Sequence, residues 1–462
     1  MTMDKKVKYQ RRALCTVYIL AMFMAALDGT IVYIALPSIA AELGVTSAQL
    51  SGLTVWYLVG VSMILPCAGY LGDRFGSKKM FMVSSLVFTF ASYMCALADS
   101  VSMLNIARFL QGLGGGLFAP IGMAMIFRTF SIEERPKLSR SFVIPIAIAP
   151  ALGPIIGGVI VTYLPWQWIF LINIPIGLFI VIIGALFLQE KHEYMGKKLD
   201  VKGLLLLVIG FPLFMYTLNR LTAGMSLPII VFGMIGLIMI VTYVFHALKA
   251  DQPLLNLKLL EEKTFKRISM LSFLGAAGLQ GFLYLFPIMY QYTTGASPLK
   301  SGLTIFIEAI GLMVASRVMP LTLKLLGVYR VIVYGFLLSS VFFLLISWIG
   351  PTGSIIGLQI CLFGIGLTLG HAVIAMQYTA FHHINKEKMS QATTLFNVQN
   401  RLGAAMGIVS ISLIISMFSI GNEQLYQVAI IFCAMLLLAA CLFAINSQTA
   451  IKSTSPKMKK AS

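Results

Sequence analysis

Apolar residues occur along this chain in runs of about 20 residues, with short polar stretches between them. A helical run of that length crosses the hydrocarbon core of a membrane, whereas the strands of a membrane β-barrel are about half as long and alternate strictly. The pattern predicts an all-α membrane protein with fourteen transmembrane helices. The predicted spans are residues 13–36, 48–71, 79–98, 101–127, 139–163, 166–188, 201–220, 226–248, 265–290, 299–320, 331–349, 352–378, 391–417 and 424–446.

The composition agrees with this class of protein and narrows its function. Of the 462 residues, 59% are hydrophobic and 11% are charged, whereas a soluble chain carries about a quarter of charged residues. The longest connections, residues 189–200 and 249–264, are too short for an ATP-binding domain, and no GxxxxGK[ST] phosphate loop occurs. The sequence also contains no obvious nucleophile–base pair and no metal-type cysteine spacing. We therefore expect a protein without enzymatic activity, cofactor or metal, which draws its energy from an ion or substrate gradient.

The net charge of +18 would suit a nucleic-acid-binding protein, but its distribution indicates a membrane topology. With a cytoplasmic N-terminus, all but four of the 34 Lys and Arg residues fall in the tails, the cytoplasmic loops and the cytoplasmic ends of the spans. The exceptions are Arg220 and Lys300 on the outer side, and Arg108 and Arg401 deep within spans. Such a bias of basic residues sets the orientation of membrane proteins. We expect both termini in the cytoplasm and no nucleic-acid partner.

The first apolar run contains a single charge. Asp28 lies between Ala13 and Pro37, and an ionised carboxylate at the centre of a membrane helix costs about 2.5–3.5 kcal/mol on insertion scales. Counted from the outer ends of their spans, Asp28 and Arg108 lie at depths of roughly 12 and 10 Å. Two interpretations follow. The residues form a permanent ion pair that fixes helix packing, or the carboxylate alternates between a proton, a cationic substrate and the arginine.

Glu308 is the only other acid within a predicted span. Arg401 lies at a similar depth, so a structural salt bridge between them is one interpretation. The other makes Glu308 a second proton site or the anchor for a cationic substrate. His371, in the twelfth predicted span, is either a proton relay or a hydrogen-bonded packing residue.

Two cytoplasmic loops share a spacing that indicates an internal repeat, although two short Gly/basic loops can also match by chance. The corresponding positions are Gly69, Asp73, Gly76 and Lys79 after span 2, and Pro320, Lys324, Gly327 and Arg330 after span 10. Spans 1–6 then match spans 9–14, and spans 7 and 8 are an inserted pair. The predicted domains are a six-helix bundle over residues 1–188, the inserted pair with its loops over 189–264, and a six-helix bundle with a cytoplasmic tail over 265–462.

Five motifs in the first 180 residues resemble those of the major facilitator superfamily and of its fourteen-helix drug:proton antiporters. The stretch from Leu27 to Pro37 is similar to LDxTIVNxALP, and the loop from Gly69 to Lys79 is similar to GxLaDrxGrkx. The third motif is similar to RxxQGxGgg and reads Arg108-Phe-Leu-Gln111-Gly112-Leu-Gly114-Gly115-Gly116. The fourth is similar to GPxxGG and reads Gly153-Pro154-Ile-Ile-Gly157-Gly158. The fifth is Trp166-Gln-Trp168-Ile-Phe-Leu-Ile-Asn173-Ile-Pro175-Ile-Gly177. The family pattern has Asn at the position of Tyr33, and Lys324 replaces the acidic or amide residue expected in the second loop.

The resemblance implies the major facilitator fold and an alternating-access transporter with protons as the coupling ion. It assigns a cytoplasmic latch to Gly69, Asp73, Arg74, Gly76, Lys78 and Lys79, an antiporter motif to Gly153, Pro154, Gly157 and Gly158, and a span 4 motif to Arg108, Gln111 and Gly112. The candidate proton-coupling or substrate residues are Asp28, Arg108, Glu308, Arg401 and His371.

We therefore expect a monomeric exporter of hydrophobic or cationic small molecules, such as drugs, antiseptics and toxic metabolites, in the inner membrane of a bacterium. Its partners are its small-molecule substrates and membrane lipids. A dedicated exporter of one metabolite, lipid or antibiotic is the alternative within the same class. A non-transporting membrane sensor or scaffold is the alternative from another class, and the charged residues within the spans make it the weaker one.

Overall fold

The computed structural model describes residues 3–131, 134–190, 199–220, 226–350, 353–417 and 423–447. The cytoplasmic tail expected after Ser447 and most of the connection 189–200 lie outside these residues. The described part of the chain is all-helical. Its helices are α1 (Met3–Leu43), α2 (Ser51–Ile64), α3 (Ala68–Phe75), α4 (Ser77–Ala96), α5 (Val101–Thr129), α6 (Arg135–Tyr163), α7 (Trp168–Leu171), α8 (Asn173–Phe187), α9 (Val201–Arg220), α10 (Leu227–Lys249), α11 (Lys263–Thr294), α12 (Pro298–Ile349), α13 (Ile355–Ala380), α14 (Met389–Ser416) and α15 (Glu423–Asn446).

Twelve helical stretches in the described residues are long and apolar enough to cross a membrane, compared with the fourteen predicted spans. The difference has two sources. Predicted spans 10 and 11 both lie in the 52-residue helical stretch α12, which consists of two helices joined at a kink where Gly327 has non-helical dihedral angles (φ 74°, ψ 160°). Predicted span 5 lies in α6 (Arg135–Tyr163), and it is not among the twelve because the side chains of this helix are described continuously only over Ile148–Tyr163.

Polar caps and glycines set the helix ends where the sequence changes from apolar to polar. Ser100 accepts a hydrogen bond from the backbone N–H of Met103 and begins α5, and Glu262 caps α11 by accepting from the N–H groups of Thr264 and Phe265. Gly295 ends α11 in the left-handed conformation (φ 63°). These local signals limit the length of each helix.

The chain divides into two compact units. The first comprises Met1–Leu254 and Ser297–Leu303, and the second comprises Leu255–Ala296 and Thr304–Ser462. In the first unit, α1 packs against α5, α6 and α8, and α5 packs against α2 and α4. In the second unit, α11 packs against α13, α14 and α15. Helices α9 and α10, predicted as part of an inserted pair, belong to the first unit, where they pack on each other and α9 contacts α2.

The glycines of α5 allow this helix to approach two neighbours closely. A Cβ atom at Gly112 would lie 2.2 Å from the carbonyl oxygen of Tyr57 in α2, and one at Gly114 would lie 2.7 Å from the carbonyl oxygen of Ser84 in α4. Larger residues would push the helices apart, as at the small-residue interfaces of other membrane proteins. The glycine run therefore places α5 at the centre of the first unit.

The two loops with matching residue spacing, after predicted spans 2 and 10, share one backbone feature. Gly76 has φ 91° and Gly327 has φ 74°, and both interrupt a helical path in the positive-φ region that favours glycine. The helix turns at the same position of each matched loop, which agrees with the proposed repeat.

Candidate functional site

Asp28 lies at the centre of a buried polar cluster in the first unit. Its carboxylate and the guanidinium of Arg108 are both fully buried, and their closest atoms are 2.5 Å apart. The predicted pairing across α1 and α5 is therefore formed. Three helices supply the main polar groups, because Asp28 lies on α1, Arg108 and Gln111 lie one turn apart on α5, and Asn173 is the first residue of α8.

The carboxylate has a hydrogen-bond donor at each oxygen. Asp28 Oδ2 accepts from Arg108 Nη1, while Oδ1 accepts from Gln111 Nε2 at 2.8 Å and from Asn173 Nδ2 at 2.9 Å. A buried carboxylate is tolerated when it is paired and hydrogen-bonded in this way. One charged and two neutral donors thus hold the aspartate.

Arg108 has partners besides the aspartate. Its Nη1 also donates to Gln111 Oε1 at 2.7 Å, and its Nε donates to the carbonyl oxygen of Leu53 at 2.9 Å. The guanidinium carbon lies 4.6 Å from the ring centroid of Tyr57 and 5.7 Å from that of Phe170, which are cation–π distances. Its Nη2 is buried without a hydrogen-bond partner among the described residues. Several of these contacts do not require a charged Asp28.

Two members of the cluster were not predicted as site residues. Asn173 belongs to a stretch that resembles a family motif, so the sequence did contain an indication of this residue. Ser92 of α4, which accepts from Gln111 Nε2 at 2.8 Å, had no such signal because serines are common in these helices. Only the packing of α4 against α5 shows its place in the cluster.

The predicted antiporter motif packs α6 against α1 close to Asp28. A Cβ atom at Gly153 would lie 2.0 Å from Thr30 Oγ1, and one at Gly157 would lie 2.8 Å from the side chain of Ile31. Thr30 donates to the carbonyl oxygens of Leu27 and of Pro150. Any side chain at the two glycines would displace the part of α1 that carries Asp28.

The predicted cytoplasmic latch includes an ion pair with the end of α5. Asp73 Oδ1 accepts from Arg128 Nη2 at 2.9 Å, and Arg128 Nη1 donates to Ser77 Oγ at 3.0 Å. Gly76, between Asp73 and Ser77, makes the turn that connects α3 and α4. Arg74 of the predicted latch is exposed. Arg128 is therefore a latch residue that the sequence analysis did not identify.

The two lysines of the latch contact the end of α8. Lys78 Nζ donates to the carbonyl oxygens of Ala185 and Leu188, at 3.2 and 2.6 Å. Glu190 accepts from the backbone N–H groups of Lys78 and Lys79, at 3.4 and 3.1 Å. A carboxylate at the first turn of α4 and an ammonium at the last carbonyls of α8 both complement the helix dipoles.

A second ion pair joins the start of α1 to the segment after α5. Arg11 Nη2 and Glu134 Oε2 are 2.6 Å apart, and the guanidinium also lies 4.5 Å from the ring centroid of Phe130. The hydrogen bond from Arg11, together with the N–H of Ser131, holds the pKa of the Glu134 carboxyl below its usual range. Side-chain contacts therefore connect the helix ends at this end of the first unit at three places.

In the second unit, the predicted pairing of Glu308 with Arg401 is not formed. Glu308 is only 9% exposed and makes no ion pair with any described residue, while Arg401 is exposed. Gly366 of α13 approaches the backbone carbonyl of Glu308 so closely that no side chain fits there. The two helices that carry Glu308 and Arg401 present these residues to different surroundings.

His371 has the surroundings of a packing residue. Its Nε2 lies 3.0 Å from Thr322 Oγ1, and its Nδ1 lies 2.7 Å from the carbonyl oxygen of Leu367. Both ring nitrogens therefore face groups that do not titrate. Among the described residues, no cluster of three or more His, Cys, Asp or Glu side chains forms a metal site.

Long apolar helices around a buried arginine–aspartate pair define a multi-pass membrane protein with a polar site in its interior. The model of the Major Facilitator Superfamily matches residues 18–408, and the chain belongs to this superfamily of membrane transporters. Its curated relatives include the putative multidrug resistance protein MdtD of Escherichia coli (strain K12 / DH10B) and that of Shigella sonnei (strain Ss046). Each is 30% identical over 398 residues, which is 86% of this chain and 84% of the relative.

Solved structures show the same fold. The nucleoside transporter NupG aligns with a TM-score of 0.67 and 11% identity, over 95% of this chain and 98% of its own. The POT family transporter PepTSo aligns with a TM-score of 0.69 and 14% identity, over 97% of this chain and 99% of its own.

Proposed function

We propose that this transporter exports hydrophobic or cationic compounds in exchange for protons, by alternating access. The 30% identity to a putative multidrug resistance protein, over most of both chains, supports the export of drug-like compounds. The buried cluster around Asp28 supports the coupling to protons. This cluster is the observation on which the proposal depends.

A proton-coupling carboxylate must be tolerated in both its charged and its neutral form. Arg108 and two amides hold the charged form of Asp28. When Asp28 is protonated, its carbonyl oxygen can still accept from an amide, and Arg108 keeps Gln111 Oε1, the carbonyl of Leu53 and the ring of Tyr57. In both forms Asp28 and Arg108 keep hydrogen-bond partners, so a proton can bind and leave without disrupting the first unit.

The energy available from one such site is sufficient for export. A pH difference of one unit is worth about 1.36 kcal/mol per proton, which is a tenfold concentration ratio. A membrane potential of 100 mV adds about 2.3 kcal/mol for each charge moved. A single proton exchanged for a neutral compound therefore supports a gradient of tenfold to several hundredfold.

The test is transport in proteoliposomes under an imposed pH gradient, with a panel of cationic and neutral hydrophobic compounds. We expect Asp28→Asn to reduce pH-driven export at least tenfold and Asp28→Glu to retain part of it. Glu42→Gln is the matched control, because Glu42 is an exposed acid at the end of the same helix and contacts only Gln167 among the described residues. Normal export by Asp28→Asn would make the aspartate a structural partner of Arg108. Export of a single compound would favour the dedicated exporter.

We propose that Glu308 acts as a second proton site or as the anchor for a cationic substrate. A buried carboxylate without an ion pair among the described residues is available to a positively charged ligand. Arg401, which is exposed, and His371, which has two non-titrating neighbours, are less suited to the roles in coupling that we expected of them.

We propose that the chain has fourteen transmembrane helices, as in the drug:proton antiporters that its motifs resemble. A continuous helix of 52 residues would be about 78 Å long, more than twice the thickness of a hydrocarbon core of about 30 Å. Division of α12 at Gly327 gives two spans. Helix α6 has 29 residues, which is long enough for another.

We propose that the protein lies in the inner membrane of a bacterium, with both termini and the latch loop in the cytoplasm. The asymmetry of Lys and Arg residues supports this orientation. Single cysteines introduced at Lys78 and at Ser455 should resist membrane-impermeant thiol reagents in intact cells, whereas one at the exposed residue Asp99 should be labelled. Ready labelling at the first two positions would reverse the topology.

A further inference from the structure

A cavity of about 430 Å³ lies in the first unit, away from the Asp28 cluster. It is lined by the start of α5, by α2 and by the last turn of α9. Its volume is within the range of small-molecule sites, which is about 300–1,000 Å³. The six lining residues that bear on its chemistry are Trp56, Asn105, Phe109, Tyr216, Asn219 and Arg220.

The cavity has an aromatic wall and a single cation. The rings of Trp56 and Phe109 meet edge to face with centroids 6.0 Å apart. The guanidinium carbon of Arg220 lies 5.5 Å from the ring centroid of Tyr216. Arg220 is exposed and makes no ion pair with a described residue, and residues 221–225, outside the described part, contain no acid. The lining has no acidic residue, so this site does not suit the cationic substrates proposed for the transporter.

The polar groups lie beside the aromatic wall. Asn219 Nδ2 donates to Ser51 Oγ at 2.8 Å and ties the end of α9 to the start of α2. Asn105 Oδ1 is buried without a hydrogen-bond partner among the described residues, and its side-chain amide packs against Gly52 of α2. The cavity therefore offers a guanidinium for an anion and an apolar wall.

The depth of these residues matches the interface of a lipid bilayer. Arg220 is the last residue of α9, while Trp56 and Phe109 lie five and eight residues into α2 and α5. At 1.5 Å per residue, the aromatic rings lie roughly 8–12 Å below the helix ends, next to the upper part of the acyl chains. The orientation predicted from the charges makes this the outer leaflet. Helix α10, which packs on α9, exposes most of its apolar side chains, so lipid has direct access to the helix pair.

We propose that this cavity binds one anionic phospholipid of the outer leaflet. Arg220 holds the phosphate, because a planar guanidinium forms bidentate hydrogen bonds with phosphate oxygens. An acyl chain packs on Trp56, Phe109 and Tyr216. The lipid fills the junction between α9 and the α2–α5 pair. This site goes beyond the proposed export function and does not depend on it.

Tryptophan fluorescence offers a direct test, because Trp56 is one of four tryptophans. A single-tryptophan form (Trp166→Phe, Trp168→Phe, Trp348→Phe) in vesicles leaves Trp56 as the only reporter. We expect brominated phosphatidylglycerol to quench Trp56 at least about twofold more strongly than brominated phosphatidylcholine at the same mole fraction. Arg220→Gln should abolish this preference and Arg220→Lys should keep part of it. Lys300→Gln, which removes the other outer cation, should leave it unchanged.

Two further measurements distinguish a bound lipid from a misfolded variant and from a soluble anion. Native mass spectrometry of the unmodified chain should retain one phosphatidylglycerol, and Arg220→Gln should lose it while keeping its helix content and melting temperature. Equal quenching by both lipids, or a preference that survives Arg220→Gln, would overturn the proposal. Displacement of the brominated lipid by millimolar glycerol phosphate would also overturn it, because a soluble anion would then be the occupant.

Discussion

Asp28 in the first unit and Glu308 in the second are both buried acids on transmembrane helices, but their surroundings differ. Asp28 receives hydrogen bonds from Arg108, Gln111 and Asn173. Glu308 forms no ion pair with a described residue, and Arg401, which lies at a similar depth on its helix, is exposed. The first carboxylate is paired and hydrogen-bonded, while the second has no ion-pair partner among the described residues.

The two loops with matching residue spacing also differ in their contacts. Asp73 in the first unit pairs with Arg128, and Lys78 donates to backbone carbonyls at the end of α8. Lys324, at the matched position of the second unit, is exposed and makes no ion pair with a described residue. The two loops with matching residue spacing therefore carry different side-chain contacts. The first unit contains a buried ion pair, and the second contains a buried acid without an ion pair among the described residues.

The largest effect should follow from removing the partner of Asp28. Arg108→Gln leaves a buried carboxylate without a cation, so we expect the free energy of unfolding to fall by about 3–5 kcal/mol. The double variant Asp28→Asn/Arg108→Gln buries no charge and should recover most of this loss. Thermal or denaturant unfolding in one detergent measures both. Arg128→Gln, which breaks a partly exposed pair, is the control and should cost about 1 kcal/mol or less. Similar losses in the single and double variants would show that the pair is not coupled.

Glu308→Gln should change transport more than it changes stability. No ion pair is lost, so we expect the melting temperature to remain within a few degrees of the wild type or to rise. We expect export of cationic compounds to fall about tenfold and export of neutral compounds to change less than twofold. Proteoliposome transport with one compound of each kind measures the difference. An equal loss for both would assign the proton to Glu308 instead, and an unchanged rate for both would remove its role.

Asp73→Ala should slow transport severalfold while the protein remains folded, because the pair with Arg128 at the end of α5 is lost. The matched change in the other loop, Lys324→Ala, should leave the transport rate within about twofold of the wild type. Initial rates under a fixed pH gradient measure both variants. The contrast between the two loops would not stand if both variants, or neither, slowed transport.

The smallest effect concerns Asp200, which precedes α9. Burial raises the pKa of its carboxyl, but the N–H groups of Gly203 and Leu254 and the ring of His246 outweigh this and leave the pKa below its ordinary value of 3.8. A lowered pKa stabilises the fold above the ordinary value, and this contribution is lost as the pH falls through the folded-state value. We expect Asp200→Asn to lower the melting temperature by a few degrees at about pH 7.

The pH dependence distinguishes a contribution from the charge of Asp200 from a simple packing effect. The difference between Asp200→Asn and the wild type should shrink as the pH falls below 3.8 and through the lowered pKa of the Asp200 carboxyl, because the wild-type group is then protonated. Asp99→Asn, which changes an exposed acid, is the control at both pH values. A difference that stays constant with pH would show that the charge of Asp200 contributes nothing.

The sequence by itself determined the class of protein and much of the first site. Apolar runs of about 20 residues predict membrane helices wherever the chain places them, because the hydrophobic thickness of a bilayer is fixed. The spacing along each helix gave the depth of Asp28 and Arg108, since every residue advances a helix by about 1.5 Å. The loop spacing placed Gly76 and Gly327 at corresponding positions, and both glycines have a positive φ in the structure.

Only the tertiary structure decided which side chains meet. Glu308 and Arg401 were placed at similar depth by the same reasoning as Asp28 and Arg108, but they do not pair. Ser92 and Asn173 join the Asp28 cluster although they lie on two other helices. Residue spacing fixes the height of a side chain along a helix axis. The direction in which it points depends on how each helix is rotated against its neighbours, and this rotation is set by close contacts such as that of Gly112 with Tyr57.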